Sequence, residues 1–557
     1  MKGKMRFKRL LISLFAVIFI FTGCGSNSGT STPQTNHDHV LVKLSSKEAT
    51  CLKEGRKAYW HCEGCGKYYL DSKAETEVTL KETVLEKLPH NATKTSGVEP
   101  TCVSTGRKDY YKCSNCNKMF IDEACTTEVE DRELNLPTIA HNLKHVEKVP
   151  AEGRENGVKE HWNCLGCGGF FADGDGKIKI SLEETIDYHP LNIPDFIVEV
   201  PTGRDPVVLQ LSDTQIIDAG QCRPGRTGID PAFWATNQVE ERCYDYLTEV
   251  INATSPDLII MTGDIVYGEF DDDGTALTSL INFMDLFEIP WAPIFGNHDN
   301  ESKKGVDWQC QQFVNSKYCL FKQRELTGNG NYTVGIAQGE KLSRVFYMMD
   351  SNGCNGASEE SMANGHTVKS IGFKRDQIDW YTTNIGILKE FSSTTKISFA
   401  YHIQMGKFKE VCESYGFKGE EGTTINIDRL ETQKSGDYGL IGARIRVDWD
   451  QTNSVYDGLK ELGVDSMFVG HEHCNSASIV YEGVRFQFGQ KSSQYDAYNV
   501  LSLNGNVSRV FGRPTAGTTS LIGGSVIVLS QEDGNIENSY IYYCGQPNGQ
   551  IDWKKYD

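Results

Sequence analysis

The sequence lacks an excess of basic charge. Its 557 residues include 56 lysines and arginines against 75 aspartates and glutamates, which gives a formal net charge of -19 at pH 7. A protein that binds nucleic acid presents a basic surface to the phosphate backbone, so this balance excludes nucleic acid as an expected partner. Hydrophobic residues make up 39% and aromatic residues 10% of the chain, which excludes a mainly disordered protein. The length predicts two or more domains.

A hydrophobic run long enough to cross a membrane is also missing. The apolar run at residues 10–21 follows five basic residues and is too short to span a bilayer comfortably. It ends in Phe21-Thr-Gly-Cys24, and a stretch rich in serine, threonine and glycine follows. These residues resemble a bacterial lipoprotein signal, in which the chain is cut before a cysteine that then carries lipid. The resemblance implies a signal peptide at residues 1–23, lipidation of Cys24, a tether at 24–36, and an extracytoplasmic protein lipid-anchored to the bacterial cell membrane. Plain secretion is the alternative.

Cysteine, in contrast, is abundant, and its positions repeat. Of the 18 cysteines, eight recur with a period of 51 residues: Cys51, Cys62, Cys65, Cys102, Cys113, Cys116, Cys164 and Cys167. The histidines His39, His90 and His141 keep the same period. Self-similarity at a fixed period predicts tandem small domains, which we place at residues 37–90, 91–141 and 142–190.

The repeats contain the ligands of structural zinc sites. The two thiolates of a CxxC pair bind one side of a tetrahedral zinc ion, and a distant cysteine and histidine complete the site. A module of about fifty residues buries little core, so it usually needs such a staple. The spacing predicts one ligand set for each of the first two repeats: His39, Cys51, Cys62 and Cys65, then His90, Cys102, Cys113 and Cys116.

The third repeat departs from this pattern. Gly153 stands where the lone cysteine belongs, so Cys164 and Cys167 either gain His161 as a further ligand or bind no metal. Disulfides are the alternative to zinc throughout the array, although they leave one thiol unpaired in each complete repeat. The array resembles the zinc-ribbon-like repeats of surface proteins from Gram-positive bacteria. That resemblance implies a stalk or an adhesive module that contacts the cell wall or another surface.

From about residue 195 onward, short apolar runs end abruptly in residues that are typical metal ligands. Six such runs end at Asp213, Asp264, Asp299, Asp350, His402 and His473. Each run is typical of a buried strand, and helix-like stretches at 233–251 and 377–390 lie between them. This alternation predicts an α/β architecture, and ligands at strand ends converge on one edge of a sheet.

Five of these strand ends match a known pattern in content and order. They are Asp213, Gly263-Asp264, Gly296-Asn297-His298-Asp299, His402 and Gly470-His471-Glu472-His473. Over roughly residues 200–490 the chain resembles the calcineurin-like metallophosphoesterases. The resemblance implies an α/β fold of the metallophosphoesterase type, a β-sandwich flanked by helices, in a domain at 195–557. It also implies metal-dependent hydrolysis of phosphate esters.

One departure from the family pattern is informative. The family usually opens with Asp-x-His, whereas this chain has Asp213-Thr-Gln215. The purple acid phosphatase branch also lacks that histidine and has a tyrosine three residues after the bridging aspartate, as Tyr267 is here. A tyrosinate is a hard anionic ligand suited to trivalent iron. The alternative is a packed tyrosine beside a degenerate site.

The resemblance implies a site with two metal ions, iron paired with iron, zinc or manganese. Carried over by position, one metal takes Asp213, Asp264, Tyr267 and His473, and the other takes Asp264, Asn297, His402 and His471. His298 would stabilise charge on the phosphate or protonate the leaving oxygen, and Asp299 would orient His298. A phosphomonoester is the favoured substrate. The alternatives are a phosphodiesterase acting on nucleotides or lipid headgroups, and a surface-adhesion protein whose phosphoesterase domain is only a scaffold.

The remaining cysteines of this region do not reveal a pairing. They are even in number and could form disulfides outside the membrane: Cys222, Cys243, Cys310, Cys319, Cys354, Cys412, Cys474 and Cys544. The short step from Cys310 to Cys319 suits a small disulfide loop.

Overall fold

The structure is a computed structural model, and it describes residues 38–224, 239–354, 359–363, 365–419, 424–442, 445, 449–493 and 521–556. The predicted signal peptide, the lipidation residue Cys24 and the whole predicted tether at 24–36 lie outside the described residues. Within the described part of the chain, no helix is both long and apolar enough to cross a membrane. The chain divides into two compact units, residues 1–142 and residues 143–557.

The first two repeats are built alike from short antiparallel strands. The strands of the first are β1 Leu41–Leu44, β2 Gly55–Arg56, β3 Tyr59–Cys62, β4 Tyr68–Tyr69, β5 Glu77–Val78 and β6 Val84–Leu85. Those of the second are β7 Ala92–Thr95, β8 Gly106–Arg107, β9 Tyr110–Cys113, β10 Met119–Phe120, β11 Glu128–Val129 and β12 Asn135–Leu136. Each repeat has a four-stranded sheet, ordered β1-β3-β4-β5 or β7-β9-β10-β11, and a two-stranded ribbon, β2-β6 or β8-β12. This arrangement confirms the predicted β-rich repeats.

The third repeat has the same topology, and it packs on the α/β region that follows it within the second unit. Its strands are β13 Leu143–Val146, β14 Gly157–Val158, β15 His161–Cys164, β16 Phe170–Phe171, β17 Lys179–Ile180 and β18 Ile186–Asp187. Lys159 Nζ lies 2.8 Å from Glu390 Oε1, and the rings of Tyr188 and Phe391 meet edge to face at 5.9 Å. These contacts attach the third repeat to the helix that carries Glu390 and Phe391.

Two mixed sheets form the rest of the second unit. The strands are β19 Phe196–Glu199, β20 Val207–Leu211, β21 Leu258–Met261, β22 Trp291–Pro293, β23 Tyr332–Gln338, β24 Lys341–Met348, β25 Lys396–Ala400, β26 Ile425–Asn426, β27 Leu440–Ile441, β28 Val464–Val469, β29 Ser478–Tyr481, β30 Val484–Phe488, β31 Gly523–Leu529 and β32 Ile536–Tyr543. One sheet has the order β22-β21-β20-β31-β32, and the other has the order β19-β23-β24-β25-β28-β30-β29. Strands β26 and β27 form a separate two-stranded ribbon.

Helices flank the two sheets. The α-helices among the described residues are α1 Val239–Thr254, α2 Thr275–Asp285, α3 Val306–Asn315, α4 Glu359–Ala363, α5 Arg375–Phe391, α6 Gly406–Glu413 and α7 Ser454–Glu461. Short 3-10 helices cover Leu80–Thr83, Asp131–Leu134, Glu183–Thr185, Pro190–Asn192, Ala219–Gln221, Gly268–Phe270, Asp299–Glu301, Ile427–Arg429, Pro547–Gly549 and Trp553–Tyr556. The predicted helix at 377–390 is therefore confirmed as α5, and the predicted helix at 233–251 is described only from Val239 onward, as α1.

The two sheets share one hydrophobic core and a polar contact at its centre. Buried residues of both sheets belong to a single cluster. Inside it, Gln210 of β20 donates from Nε2 to the Val469 carbonyl at 3.0 Å and accepts from Gln487 Nε2 at 3.0 Å. These bonds fix β20 of one sheet against β28 and β30 of the other, because a buried amide without partners is costly. This is the predicted metallophosphoesterase sandwich.

The strand directions place the predicted ligands together. Strands β20, β21 and β22 run parallel to one another, and β25 runs parallel to β28. All four residues of β21 are buried, as are most residues of β20 and β28, because helices and the second sheet cover their faces. The loops after these five strands carry Asp213, Asp264, Asn297, His402 and His471. One strand end, Asp350 after β24, instead accepts backbone N–H bonds from Asn329 and Asn352.

Candidate metal centre

Two clusters of metal-type donors meet at the strand ends, and Asp264 belongs to both. Asp213, Asp264 and His473 offer donor atoms that all lie within 4.8 Å of one another. The same holds for Asp264, His402 and His471. Asp213, Asp264 and His402 are almost fully buried. A carboxylate shared by two neighbouring donor sets is the arrangement that bridges two cations.

Asp213 follows β20 in a left-handed backbone conformation, with φ of 52°. Its carboxylate accepts the backbone N–H of His471 and the hydroxyl of Ser212, the latter at 2.5 Å. His473 Nε2 lies 3.0 Å from Asp213 Oδ1. Gly470 permits this approach, since a Cβ at that position would come within 2.9 Å of Asp213 Oδ2. The turn at residues 470–473 is thus held directly against the end of β20.

Two glycines, Gly263 and Gly296, allow the chain to pass close to Asp264 and His402. A Cβ on Gly296 would lie 2.3 Å from the Asp264 backbone nitrogen and 2.3 Å from its Oδ1. Gly263 has φ of 85°, and a Cβ there would meet His402 Nδ1 at 2.6 Å. The backbone N–H of His298 donates to Asp264 Oδ1 at 2.8 Å. Both glycines are therefore required by close approach to the central carboxylate and to His402.

His402 and Asn297 complete one side of the centre. His402 Nδ1 lies 2.8 Å from the carbonyl of Thr262, so Nδ1–H donates there and Nε2 faces the site. That Nε2 lies 3.1 Å from Asn297 Oδ1 and 3.3 Å from Asp264 Oδ1. The ring of His471 is 5.2 Å from that of His402. The structure thus brings the predicted ligands of the second metal together.

Gln215 occupies the position of the missing histidine. Its Nε2 donates to Asp264 Oδ2 at 3.2 Å and lies 3.4 Å from His473 Nε2. The buried Lys491 donates from Nζ to Gln215 Oε1 at 3.4 Å and to the Asp213 carbonyl at 3.0 Å. The amide therefore presents N–H groups to the site instead of a metal-binding nitrogen. Sequence reasoning missed Lys491, because it follows a distant strand and carries no motif.

Tyr267 and His298 stack beside the centre. Their ring centroids are 4.4 Å apart with an interplanar angle of 32°. Tyr267 is buried, and its backbone N–H donates to the Ile216 carbonyl at 3.0 Å. Both residues thus lie in the loops that surround Asp264. The predicted role of Tyr267 as a metal ligand stays a prediction.

The predicted role of Asp299 is wrong. Its Oδ1 accepts backbone N–H bonds from Ile265 at 2.8 Å and Val266 at 2.9 Å, and its Oδ2 accepts one from Gly296 at 2.6 Å. Asp299 thus joins the loop after β21 to the loop after β22, and its carboxylate is occupied by backbone donors. Burial and the charge of Asp264 raise the pKa of Asp299 to about 7.

Glu301 is the acid that orients His298. Its Oε2 lies 3.0 Å from His298 Nδ1, and its side chain is 5% exposed. Sequence reasoning missed this residue, although its position three residues after His298 in a short helical turn was a usable signal. Burial opposes a charge on His298, but Asp264 and Glu301 outweigh it and raise the pKa of His298.

The charges of the site fit metal cations. Burial disfavours ionisation of Asp213, but His473 outweighs it and lowers the pKa of Asp213. Burial likewise opposes ionisation of Asp264, yet His402 and His298 hold its pKa well below the usual value. Two buried carboxylates so close together need positive charge, and the surrounding imidazoles supply it when they are protonated. Metal ions replace such protons, and carboxylate, amide and imidazole donors suit iron, zinc and manganese.

The donor clusters of the first unit differ from the predicted sets. His39 Nδ1 lies 3.3 Å from Cys62 Sγ and 3.6 Å from Cys65 Sγ, and these three residues form one cluster. Cys51 is not part of it. Cys51 instead lies in a four-residue cluster with His90, Cys113 and Cys116, and Cys102 is absent from that cluster. Both predicted sets are therefore wrong in their lone cysteine.

In the third repeat, Cys164 ends β15 and Cys167 follows in the turn, as Cys113 and Cys116 do in the second repeat. His161 Nδ1 lies 2.8 Å from the Lys159 carbonyl. That bond occupies the ring nitrogen locally, so the alternative of His161 as a replacement ligand gains no support. In the phosphoesterase region, Cys310 and Cys319 are free thiols and form no disulfide loop.

A sandwich of mixed sheets with two donor clusters sharing one aspartate is an arrangement that can hold two metal ions. Comparison with known families agrees, since residues 206–475 match the family described as Calcineurin-like phosphoesterase. Residues 206–475, just under half of the chain, are therefore similar to the calcineurin-like phosphoesterases. The proteins similar to this chain include several described as probable inactive purple acid phosphatases.

Among curated proteins, the chain is 27% identical over 235 residues to Phosphatase DCR2 of Saccharomyces cerevisiae, covering 41% of this chain and 38% of that protein. It is 25% identical over 267 residues to Probable inactive purple acid phosphatase 29 of Arabidopsis thaliana, covering 44% of this chain and 61% of that protein. The chain thus spans less than two thirds of the length of these relatives.

Solved structures that resemble the chain include a dimetal phosphatase from Danio rerio, at 10% identity and a TM-score of 0.31, covering 61% of this chain and 99% of that one. Another is a purple acid phosphatase from seeds of yellow lupin, Lupinus luteus, at 8% identity and a TM-score of 0.29, covering 87% of this chain and 79% of that one.

Proposed function

We propose that this chain hydrolyses phosphate monoesters at a site that holds two metal ions. The observation that carries the proposal is the position of Asp264, whose carboxylate belongs to both donor clusters. A bridging carboxylate offsets the repulsion between two cations, and no other residue of the described site has that place. The match of residues 206–475 to a phosphoesterase family supports the same conclusion.

We assign the ligands to the two metals in the way that the family resemblance implies. One metal takes Asp213, Asp264, Tyr267 and His473, and the other takes Asp264, Asn297, His402 and His471. Two such ions supply activation of water and electrostatic stabilisation of the phosphate. Neighbouring residues hold the ligands in place. The Thr262 carbonyl accepts the Nδ1 proton of His402 and so fixes its tautomer. Gln215 donates to the carboxylate of Asp264, and Lys491 donates to the backbone carbonyl of Asp213.

His298 is the residue that acts on the substrate. Its backbone N–H donates to Asp264 and its Nδ1 is bonded to Glu301, so the ring has one defined orientation. A protonated imidazole at this position stabilises the charge that develops on the phosphate oxygens, or protonates the leaving oxygen. Glu301 supports the protonated form, because the carboxylate accepts the Nδ1 proton.

The metal pair that we propose is iron with iron, zinc or manganese. The chain combines Gln215, which carries no imidazole, with Tyr267 three residues after Asp264, and a tyrosinate favours trivalent iron. A monoester is preferred over a diester on the same ground, since that combination resembles the acid phosphatase branch.

We also propose that the enzyme is extracytoplasmic. The basic and apolar residues before Cys24 support lipidation at that cysteine and anchoring to the bacterial cell membrane. In that arrangement the repeats follow the anchored cysteine in the chain and contact the cell wall or another surface.

Metal analysis coupled to a substrate panel tests the proposal. Purified protein should contain two metal ions at the catalytic site and hydrolyse an aryl phosphate monoester faster than the matching diester. Asp264→Asn should lose metal and reduce turnover by about 100-fold or more, because both clusters lose their shared charge. The matched control is Asp379→Asn on the exposed face of α5, where the Asp379 carboxylate forms an ion pair with Arg375.

Each other outcome identifies a rival function. Faster turnover of the diester would favour a phosphodiesterase acting on nucleotides or lipid headgroups. Protein that binds cell walls, yet shows no metal-dependent hydrolysis of either ester, would establish the scaffold-only adhesion protein and overturn the enzyme.

A further inference from the structure

Cys51 lies in a turn that brings it to the end of its own repeat. Thr50 accepts backbone N–H bonds at Oγ1 from Leu52 and Lys53, at 3.3 and 3.0 Å, which makes a tight turn around Cys51. The carbonyl of Thr50 accepts the N–H of Leu88 at 3.2 Å. Leu88 is two residues before His90, where the chain enters β7 of the second repeat. The turn therefore places Cys51 beside the entrance to the next repeat.

The same turn recurs one period later. Thr101 accepts at Oγ1 from Val103 and Ser104, at 3.2 and 2.9 Å, and its carbonyl accepts the N–H of Ile139 at 3.2 Å. Cys102 is therefore held in a turn beside the segment that ends the second repeat. This explains why Cys102 does not join His90, Cys113 and Cys116.

The four donors around Cys51 have the spacing of a zinc tetrahedron. Zn–S bonds of about 2.3 Å and a Zn–N bond of about 2.0 Å put neighbouring donors about 3.5 to 3.8 Å apart. Cys116 Sγ lies 3.5 Å from His90 Nδ1, and all four donor atoms lie within 4.8 Å of one another. A cluster of three thiols and one imidazole does not suit a disulfide, because the third thiol would remain unpaired and the histidine would have no role.

We propose that Cys51, His90, Cys113 and Cys116 bind one zinc ion that joins consecutive repeats. Cys51 comes from the first repeat, Cys113 and Cys116 come from the second, and His90 lies at the boundary between them. The ion is a structural one, because four protein ligands leave no open position. The zinc ion thus links the first repeat to the second, and it also stabilises the fold of the second repeat.

The core of the second repeat supports this assignment. Its buried cluster consists of Cys51, Cys113, Phe120 and Cys125, so one residue of the first repeat is already part of it. The ring of His90 packs on Phe120 with centroids 4.6 Å apart. So small a core gives little stability by itself, and the zinc ion supplies what hydrophobic burial does not.

Cysteine alkylation on the full-length protein tests the proposal, because a zinc-bound thiolate is protected from the reagent. In the zinc-loaded protein, Cys113 and Cys116 should be protected, and EDTA should expose them. Cys51→Ser should raise the labelling rate of Cys113 and Cys116 on the order of tenfold, read by peptide mass spectrometry, and leave Cys62 and Cys65 as in the unaltered protein.

Two control variants distinguish this zinc site from the one that the sequence predicts, in which Cys102 takes the place of Cys51. Cys102→Ser should leave Cys113 and Cys116 protected, and so should Cys125→Ser, which removes a buried thiol of the same core that is not in the donor cluster. The proposal is overturned if Cys102→Ser exposes Cys113 and Cys116, or if Cys51→Ser exposes Cys62 and Cys65 instead.

A second measurement needs no variant, so it stands even if Cys51→Ser does not fold. Limiting amounts of EDTA and an alkylating reagent are added to the unaltered protein. Mass spectrometry of the intact protein, followed by fragmentation, then shows which cysteines are labelled together on the same molecule. Cys51 should become labelled on the same molecules as Cys113 and Cys116. Labelling of Cys51 together with Cys62 and Cys65, or labelling that does not depend on EDTA, would overturn the proposal.

Discussion

The imidazole of His298 and the carboxylate of Glu301 are in hydrogen-bond contact, with Nδ1 3.0 Å from Oε2. Glu301 is almost fully buried, so this bond is shielded from water and holds the ring in one orientation. The first prediction follows from that bond. Glu301→Gln should lower kcat by about 10- to 100-fold, since the amide supports a protonated ring poorly, while metal content stays unchanged.

His298→Ala should lower kcat by about 100- to 10,000-fold, also with metal retained.

Steady-state kinetics and elemental analysis of the same samples check this prediction. Asp379→Asn is again the control for loss of a carboxylate. If Glu301→Gln lost metal in proportion to activity, Glu301 would be a structural support of the metal ligands and not a residue that positions His298.

Substitution of Asp299, in contrast, should lower the stability of the protein. Its carboxylate accepts three backbone N–H bonds, and an asparagine has only one oxygen to offer them. Asp299→Asn should therefore lower the free energy of unfolding by about 2 to 3 kcal/mol, because a buried N–H group is left facing an amide NH₂. Urea unfolding of both proteins measures this. An unchanged midpoint together with a large loss of kcat would restore Asp299 as the residue that orients His298.

Tyr267 should be visible in the spectrum of iron-loaded protein. A phenolate bound to trivalent iron gives a charge-transfer band, so the loaded protein should be coloured and Tyr267→Phe should lose the band. The absorption spectrum and the iron content are recorded on the same samples. Colourless protein that is fully active, and stays active as Tyr267→Phe, would contradict the iron-tyrosinate assignment.

Gly296 should tolerate no side chain. A Cβ there would lie 2.3 Å from Asp264 Oδ1, closer than any real contact, so Asp264 or the loop must move. Gly296→Ala should destabilise the protein by about 1 to 3 kcal/mol and lower its metal content. Gly386→Ala is the matched control, because Gly386 lies inside α5 with no atom within 4 Å of its Cβ position. That variant should gain about 0.5 to 1 kcal/mol. Equal effects of the two substitutions in thermal unfolding would contradict the steric argument.

Asp195 should give stability that depends on pH. Its side chain is 6% exposed and bonds to Arg324 and Lys322 at 2.6 and 2.7 Å. Burial opposes its charge, but Arg324 and Lys322 outweigh burial and lower the pKa of Asp195. A lowered folded-state pKa adds stability above the unfolded pKa of about 3.9 and loses it as pH falls through the folded value.

Asp195→Asn should therefore cost about 3 kcal/mol at pH 7, where the carboxylate is fully charged, and progressively less below about pH 4. Urea unfolding at a series of pH values measures the difference between the two proteins. A difference that stays constant, or grows, toward low pH would show that the ion pairs do not hold this segment.

The strand ends of the catalytic region could be read from the sequence with good accuracy. Runs ending at Asp213, Asp264 and His402 became the buried strands β20, β21 and β25, because an apolar run that stops at a polar ligand is typical of a parallel strand covered on both faces. The motif order then identified the class of site. Glu301 and Lys491 escaped, because neither belongs to a motif and their partners are fixed by how the loops fold back on the strands.

The repeats show where sequence periodicity stops being informative. A period of 51 residues says which residues are equivalent, yet it says nothing about whether an equivalent residue serves its own repeat or the next one. Cys51 and Cys102 have the same local turn, and the tertiary structure shows that Cys51 lies with His90, Cys113 and Cys116 of the next repeat.

The sequence was sufficient to predict the α/β class of the region after residue 195 and the β-rich repeats before it, because these depend on period and local pattern. It also named residues that the structure gathers into donor clusters, although their roles as metal ligands stay predictions. The tertiary structure alone decided which donors share a site. Asp299 was assigned to His298 by its place in the chain, but backbone N–H groups from two loops occupy it, and Glu301 takes the role. Cys51 was assigned to His39, but it lies with His90. In both cases the physical reason is the same: a partner is selected by distance in space, and that distance is set by packing and hydrogen bonds between segments far apart in the chain.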